Sequence, residues 1–77
     1  MATGKPTARD VIVSREVGQG VRGGVMVVWL VVYNRKIVSQ SKTKHGAART
    51  AKRLAKQHGV AYWVERSKNR GAYDRGD

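Results

Sequence analysis

Eight basic residues and no acidic residue lie between Arg35 and Lys56, the densest run of one charge in the chain. If successive residues turn by about 100°, as in an α-helix, four of these cations share one face with His45. They are Arg49, Lys52, Arg53 and Lys56. The opposite face carries a narrow apolar stripe of alanines and Leu54. Guanidinium and ammonium groups clustered in this way favour binding of a phosphate-bearing anion.

The spacing of these cations is unfavourable for an isolated helix. Arg49 and Arg53 are four residues apart, as are Lys52 and Lys56, and each like-charged pair destabilises a helix by ~0.2 to 0.5 kcal/mol. The predicted N-cap, Thr43, stands between two lysines, although acidic residues suit the positive end of the helix dipole. Several small penalties in one place indicate a surface selected for an external anion rather than for stability alone.

Nucleic acid is the polyanion that such a surface most commonly meets, and DNA is weakly favoured over RNA. Neutralising phosphates releases condensed counterions, and this gives affinity without sequence reading. The helix has one amide side chain, Gln57, so we expect binding dominated by the backbone and weakly sequence-specific. The predicted nucleic-acid-binding residues are Arg35, Lys36, Lys42, Thr43, Lys44, Arg49, Lys52, Arg53, Lys56, Arg66, Lys68 and Arg70.

Aromatic side chains could add stacking with single-stranded bases. Trp29 and Tyr62 fall on apolar strand faces and are expected in the core. Trp63 shares a strand face with Glu65, and Tyr73 lies among charged residues near the end of the chain. Trp63 and Tyr73 are therefore the two candidate stacking platforms.

No catalytic or metal site is predicted. His45 and His58 lie thirteen residues apart on the predicted helix, too far to share a metal. The five acids are scattered, without the paired carboxylates of metal-dependent nucleases. The serines lack a nucleophile-elbow context. We therefore expect no enzymatic activity and no cofactor.

Composition narrows the class of protein. The 77 residues include 16 Lys and Arg against 5 Asp and Glu, for a formal charge of +11. Residues 34–77 hold twelve of the basic residues and three of the acidic ones. Cysteine is absent, so disulfides are excluded and a reducing, cytoplasmic location is expected. The longest apolar stretch has nine residues, far short of the ~20 that span a membrane, so no membrane association is expected.

The periodicity predicts an α+β fold, a small two-layer sandwich of an antiparallel sheet and one amphipathic basic helix. The predicted elements are a short edge strand at 11–13, a strand at 24–33, its hairpin partner at 37–40, a helix at 43–57 capped by Gly59, and a strand at 60–65. Residues 1–10 are expected to be a flexible arm and 11–66 a single domain. Residues 67–77 are expected to form a basic turn and tail, in which Ala72-Tyr73 could add a short strand.

The strand at 24–33 is apolar at nearly every position, as in a strand covered on both faces. One helix covers one face. Either the N-terminal strand folds over the other face or a second copy packs there, and we favour a homodimer because residues 1–23 contain little apolar material.

A resemblance to a known family rests on a few short motifs. They are the Trp29-x-Val31 strand, Thr43-Lys44-x-x-Ala47, and Ala51-Lys52-x-Leu54-Ala55 followed by Gly59 and a strand. Over roughly half the chain, they resemble a family of short uncharacterised bacterial and phage proteins that run strand, strand, helix, strand, strand. The resemblance implies a bacterial or phage accessory protein. A weaker similarity exists to the arm-binding domains of phage integrases, and to double-stranded RNA-binding domains, which have an additional first helix.

A second class of function stays open at the level of sequence. The chain could be a non-enzymatic protein-interaction module, phage-encoded and host-directed, whose basic face meets an acidic partner protein. Binding to DNA, RNA and single strands at two salt concentrations separates the two classes.

Overall fold

The computed structural model describes residues 6–7, 9–19, 23–66 and 71–76. Its elements are β1 (Val11–Gln19), β2 (Val25–Tyr33), β3 (Lys36–Ser41), α1 (Lys44–His58), β4 (Tyr62–Glu65) and β5 (Tyr73–Gly76). The strands form one sheet in the order β3-β2-β1-β4-β5, and α1 packs on one face of it. The predicted α+β two-layer fold is confirmed. The sheet is mixed rather than wholly antiparallel, because β1 and β4 run parallel.

The strand predicted at the sheet edge is the central one. Val11 and Val13 are fully buried, and β1 pairs with β2 on one side and β4 on the other. It also continues to Gln19, well past the predicted end at residue 13. The residues after Val13 are mostly polar, and a polar segment gives no strand signal in the sequence. In the structure these residues pair with β2 as far as Gln19.

The β2–β3 hairpin is confirmed, and of the two reversals that the sequence allows, Asn34-Arg35 and Arg35-Lys36, the chain uses the first. Asn34 and Arg35 both have positive φ, 54° and 63°, as a two-residue type I′ turn requires. Asparagine adopts this conformation readily, whereas arginine does so less often. A bulge between Val31 and Val32 shifts the register of the hairpin.

Helix α1 begins and ends within a residue of the predicted bounds. Thr43 is the N-cap, and Gly59 caps the C-terminus with φ of 67°, its N–H donating to the carbonyl of Ala55. The alanines at 47, 51 and 55 are buried and meet Val11, Val13, Val31 and Trp29 of the sheet. Because alanine is small, the helix lies close to the sheet and its basic side faces outward.

The outer halves of β1 and β2 form a two-stranded ribbon. Strand β4 pairs with β1 only at residues 11–13, and β3 pairs with β2 only from Trp29 onward. Beyond these points the two strands pair, among the described residues, only with each other, and Val17 and Val25 are exposed there. Isolated ribbons of this kind are marginally stable in water.

Both predicted terminal segments contain ordered structure. Residues 73–76, placed in a tail by the sequence, form β5 against β4, and the ring of Tyr62 lies directly against Gly76. In the predicted N-terminal arm, Asp10 accepts hydrogen bonds from Trp63 Nε1 at 2.9 Å and from the N–H of Thr7 at 3.2 Å. Both terminal segments are ordered by contacts with β4, which is distant in sequence from the N-terminal segment and separated from β5 by a loop. Local sequence patterns do not encode such contacts.

Candidate nucleic-acid interface

The exposed side of α1 carries the four predicted cations. Arg49, Lys52, Arg53 and Lys56 are all exposed, and they lie opposite the buried alanines. We call these four residues the basic ridge. Helix α1 contains no acidic residue, and among the described residues none of the four forms an ion pair with an acid. The ridge therefore presents its full charge to solvent.

Arg53 separates two depressions beside the ridge. One, of about 430 Å³, is lined by Gly46, Arg49, Thr50 and Arg53. The other, of about 280 Å³, lies between the helix and β3 and is lined by Val38, Ser39, Thr50, Arg53, Leu54 and Gln57. Thr50 borders both, and a helical wheel around Arg53 could have identified it from the sequence. These depressions give a backbone phosphate room beside the guanidinium of Arg53.

The β2–β3 turn adds two cations at the C-terminal end of α1. The ring of Tyr33 stacks on His58, with ring centroids 4.6 Å apart, which places the turn beside the last residues of the helix. Arg35 and Lys36 follow directly and are exposed. The structure thus brings six predicted residues onto neighbouring exposed surface.

At the N-terminal end of α1, the hydroxyl of the predicted binding residue Thr43 has a structural role as the helix cap. Thr43 Oγ1 already accepts the N–H of Gly46 at 3.1 Å, and Ser41 Oγ accepts the N–H of Thr43 at 3.2 Å. A side chain at Gly46 would meet both hydroxyls, at 2.7 and 2.9 Å from its Cβ. A capping box would carry glutamate at this position, and glycine there has a steric reason apart from any bound anion.

The two lysines flanking Thr43 diverge. Lys42 lines a cavity of about 390 Å³ with Met26, Val28, Gln40 and Ser41, on the sheet face away from α1. Lys44 holds its Nζ 5.8 Å from the centroid of the Trp29 ring, a cation–π distance. Both lysines are exposed, but neither lies beside the four cations of the ridge.

Arg66, a predicted phosphate contact, is engaged by an acid. Its Nε donates to both oxygens of Asp74 at 3.0 Å, and its Nη2 donates to Oδ1 at 2.9 Å. The hydrogen bonds from Arg66 hold the pKa of Asp74 below its usual value, and the charge of Lys44 acts in the same direction. Asp74 thereby offsets positive charge at this end of the interface. Lys68 and Arg70 lie outside the described residues.

Two other acids have structural partners that the sequence did not indicate. Glu65 is 6% exposed, and its carboxylate accepts the N–H of Arg15 at 2.8 Å and that of Gly71 at 3.0 Å. Burial raises the pKa of Asp10, but hydrogen bonds from Trp63 and Thr7 outweigh it and keep that pKa below the usual value. The contacts of Glu65 with Arg15 and of Asp10 with Trp63 leave no local signal, because they join residues 50 and 53 positions apart.

The predicted stacking platforms are placed differently from expectation. Trp63 is buried, with 8% of its surface exposed, and was wrongly predicted to be partly open. Tyr73 belongs to β5 and is half-buried. Trp29 lies in the core as predicted, and Tyr62 packs against the core while half-buried.

Within the described ranges, no three His, Asp or Glu side chains are grouped so that they could hold a metal ion. His45 and His58 lie near opposite ends of α1. That helix is too short and too polar to cross a bilayer, and the described chain has no other helix that could.

Comparison with protein-family models, curated proteins and solved structures finds no match. The resemblance to the bacterial and phage family therefore stays a prediction. The observed order has three strands before the helix, one more than that family's pattern. Any function must be inferred from the arrangement of this chain's own residues.

Proposed function

We propose that this is a small nucleic-acid-binding accessory protein that contacts the phosphate backbone through the basic ridge, Arg35 and Lys36. The observation that carries the proposal is the ridge itself, four exposed cations on a helix without an acid. An exposed helix face that served only solubility would be expected to mix both signs of charge.

The energetics of phosphate binding fit this surface. Each cation that neutralises a phosphate releases condensed counterions, so affinity depends on the number of contacts more than on base identity. Arginine also donates two parallel hydrogen bonds to a phosphate. Two of the ridge residues are arginines, and Arg53 stands between open depressions that leave its guanidinium accessible.

Sequence specificity is expected to be low. Gln57 is the one amide side chain of α1 and lines a depression with Arg53. Asparagine and glutamine make the amide contacts that read adenine, and a single glutamine at the edge of the ridge supports little discrimination. The protein should therefore bind unrelated duplexes with similar affinity.

Titration of a fluorescent duplex between 50 and 200 mM salt tests the proposal. Five or six phosphate contacts predict a slope of about −4.5 to −5.5 for log affinity against log salt, at ~0.9 per contact. A second duplex of scrambled sequence should give the same slope and similar affinity. Absence of binding to DNA and RNA at the lowest salt would instead favour the alternative, a module that binds an acidic protein.

We also propose that a second copy of this chain covers the sheet face opposite α1. On that face, every second residue of β2 is partly exposed, and no described element covers these side chains. They are Met26, Val28, Leu30 and Val32. Ile12 of β1 pairs beside Val32 and extends the patch. Two copies joined through this face would hold their basic ridges on opposite outer surfaces, which limits repulsion between highly charged chains.

The charges around this face suit an identical partner. Lys42 lies at its rim, and the register places Glu16 and Arg75 on the same side as Val28 and Trp63. In a two-fold dimer Glu16 of one copy can face a rim cation of the other copy, because in an isologous interface residue i contacts residue j and residue j contacts residue i. An apolar centre with mixed charges at the rim is typical of protein interfaces.

Sedimentation velocity at micromolar concentration should find twice the 8.5 kDa chain mass. Leu30→Lys is expected to shift the protein to monomer, because it places a charge in the centre of the apolar patch. Val25→Lys serves as the control, since Val25 is 80% exposed and belongs to the other face of β2. A monomeric wild-type protein, or equal effects of the two substitutions, would overturn the dimer.

A further inference from the structure

The aromatic side chains of this protein are all accounted for, and none is exposed. The chain has two tryptophans, three tyrosines and no phenylalanine, and all five lie within the described residues. We infer that the basic ridge binds double-stranded DNA in preference to single strands, an inference that rests on the nucleic-acid-binding function proposed above. Proteins that bind single strands without sequence preference combine a basic groove with aromatic rings on which bases stack.

Both tryptophans are held in place by interactions that stacking would break. Trp63 is 8% exposed, and its indole N–H donates to Asp10 at 2.9 Å. Trp29 is 6% exposed beneath the helix, and the ammonium group of Lys44 lies 5.8 Å from its ring centroid. A base could reach either ring only after the core or these contacts opened.

The tyrosines are engaged as well. One face of Tyr33 stacks on His58, with an interplanar angle of 20°. The ring of Tyr62 lies against Gly76, where even a methyl group would clash with it. Tyr73 is half-buried in β5, and its register with Glu65 puts it on the sheet face away from α1. None of the three is an open platform beside the basic ridge.

The shape of the ridge also fits a duplex. Its cations stand on the outer side of a 15-residue helix, a convex rod about 10–12 Å across with its side chains. The major groove of B-form DNA is about 12 Å wide and admits a helix. The corresponding groove of A-form RNA is deep and narrow. A convex row of cations therefore matches the phosphates that border a B-form groove better than a flexible single strand.

Fluorescence anisotropy with a labelled 20-nucleotide strand, alone and annealed to its complement, tests this preference. Both should be compared at equal phosphate concentration, with duplex RNA of the same sequence as a third arm. We expect affinity for duplex DNA to exceed that for the single strand by roughly tenfold at 100 mM salt. Tryptophan fluorescence should not be quenched by the single strand, because neither indole can stack with a base.

The possible results separate the two proposals. Equal or tighter binding of the single strand, or quenching of tryptophan fluorescence by it, would overturn the duplex preference while leaving nucleic-acid binding intact. Tighter binding of duplex RNA would overturn the assignment to B-form DNA. Failure to bind any of the three at 50 mM salt would overturn the proposed function and this inference together.

A pair of single substitutions strengthens the test. Tyr33→Leu removes the aromatic ring nearest the C-terminal end of α1, and Arg53→Gln removes the cation between the two depressions. Tyr33→Leu should change affinity for either form of DNA by less than about twofold, whereas Arg53→Gln should weaken duplex binding and reduce its salt slope by ~0.9. A selective loss of single-strand binding in Tyr33→Leu would contradict the inference.

Discussion

Changing all four ridge residues to glutamine is expected to abolish duplex binding at 200 mM salt. With ~0.9 lost per contact, the salt slope should fall from about −5 to between −1 and −2. Glutamine keeps side-chain length and has nearly the helix propensity of lysine and arginine. The substitutions also remove two like-charged pairs, Arg49 with Arg53 and Lys52 with Lys56, so the helix should gain slightly in stability. Loss of binding would then report the missing charges and not unfolding, which circular dichroism can check.

A second quadruple variant controls for net charge. Glutamine at Arg9, Arg15, Lys42 and Arg66 also lowers the formal charge from +11 to +7, by subtraction of four. Lys42 belongs to the other sheet face, and Arg66 is already paired with Asp74. This control should keep most of the affinity and most of the salt slope. If both variants lose binding equally, attraction follows overall charge and the ridge is not the site.

Replacing Glu65 by alanine is expected to produce a large loss of stability. Its carboxylate is buried and satisfies the backbone N–H groups of Arg15 and Gly71. Alanine removes the acceptor of both donors, and hydrogen bonds to charged groups contribute about 1.5–3 kcal/mol each. We expect the free energy of unfolding to fall by about 3 kcal/mol, a large share of what a small domain possesses. Urea denaturation followed by tryptophan fluorescence measures the change.

Two further variants define the cause of that loss. Glu65→Gln keeps one acceptor oxygen and should lose about half as much stability as alanine. Glu16→Ala removes the same charge from an exposed position nearby and should change stability by less than about 0.5 kcal/mol. If Glu16→Ala and Glu65→Ala are equally destabilising, the effect comes from net charge and not from the two backbone hydrogen bonds.

Elements governed by local chemistry were predictable from the sequence. The cap at Thr43 and the stop at Gly59 depend on conformations that one or two residues determine. So does the β2–β3 turn, which the sequence placed at Asn34-Arg35 or at Arg35-Lys36. The apolar residues of α1, spaced three and four positions apart, likewise predicted which side of the helix is buried. For the same reason the ridge was identified correctly as one exposed surface, since residues on one helix keep fixed relative positions.

Elements governed by pairing across the chain were not predictable. Strand β1 is central because β4 inserts beside it in parallel, and β5 exists because β4 offers it an edge. The predicted nucleic-acid-binding residues do not all lie on one surface, for a similar reason. Lys42 and Arg66 were both predicted to contact phosphate, yet the sheet directs Lys42 to the opposite face and places Asp74 against Arg66.

The sequence alone determines the net charge, the absence of cysteine, the two-sided helix and the tight hairpin turn. Each depends on composition or on neighbours within about one helical turn, where covalent geometry alone relates the residues. Tertiary structure decided which cations remain free of acids, which aromatic rings are buried and which strand is central. Those outcomes depend on contacts between residues far apart in the chain, whose free energies exist only once the sheet has assembled.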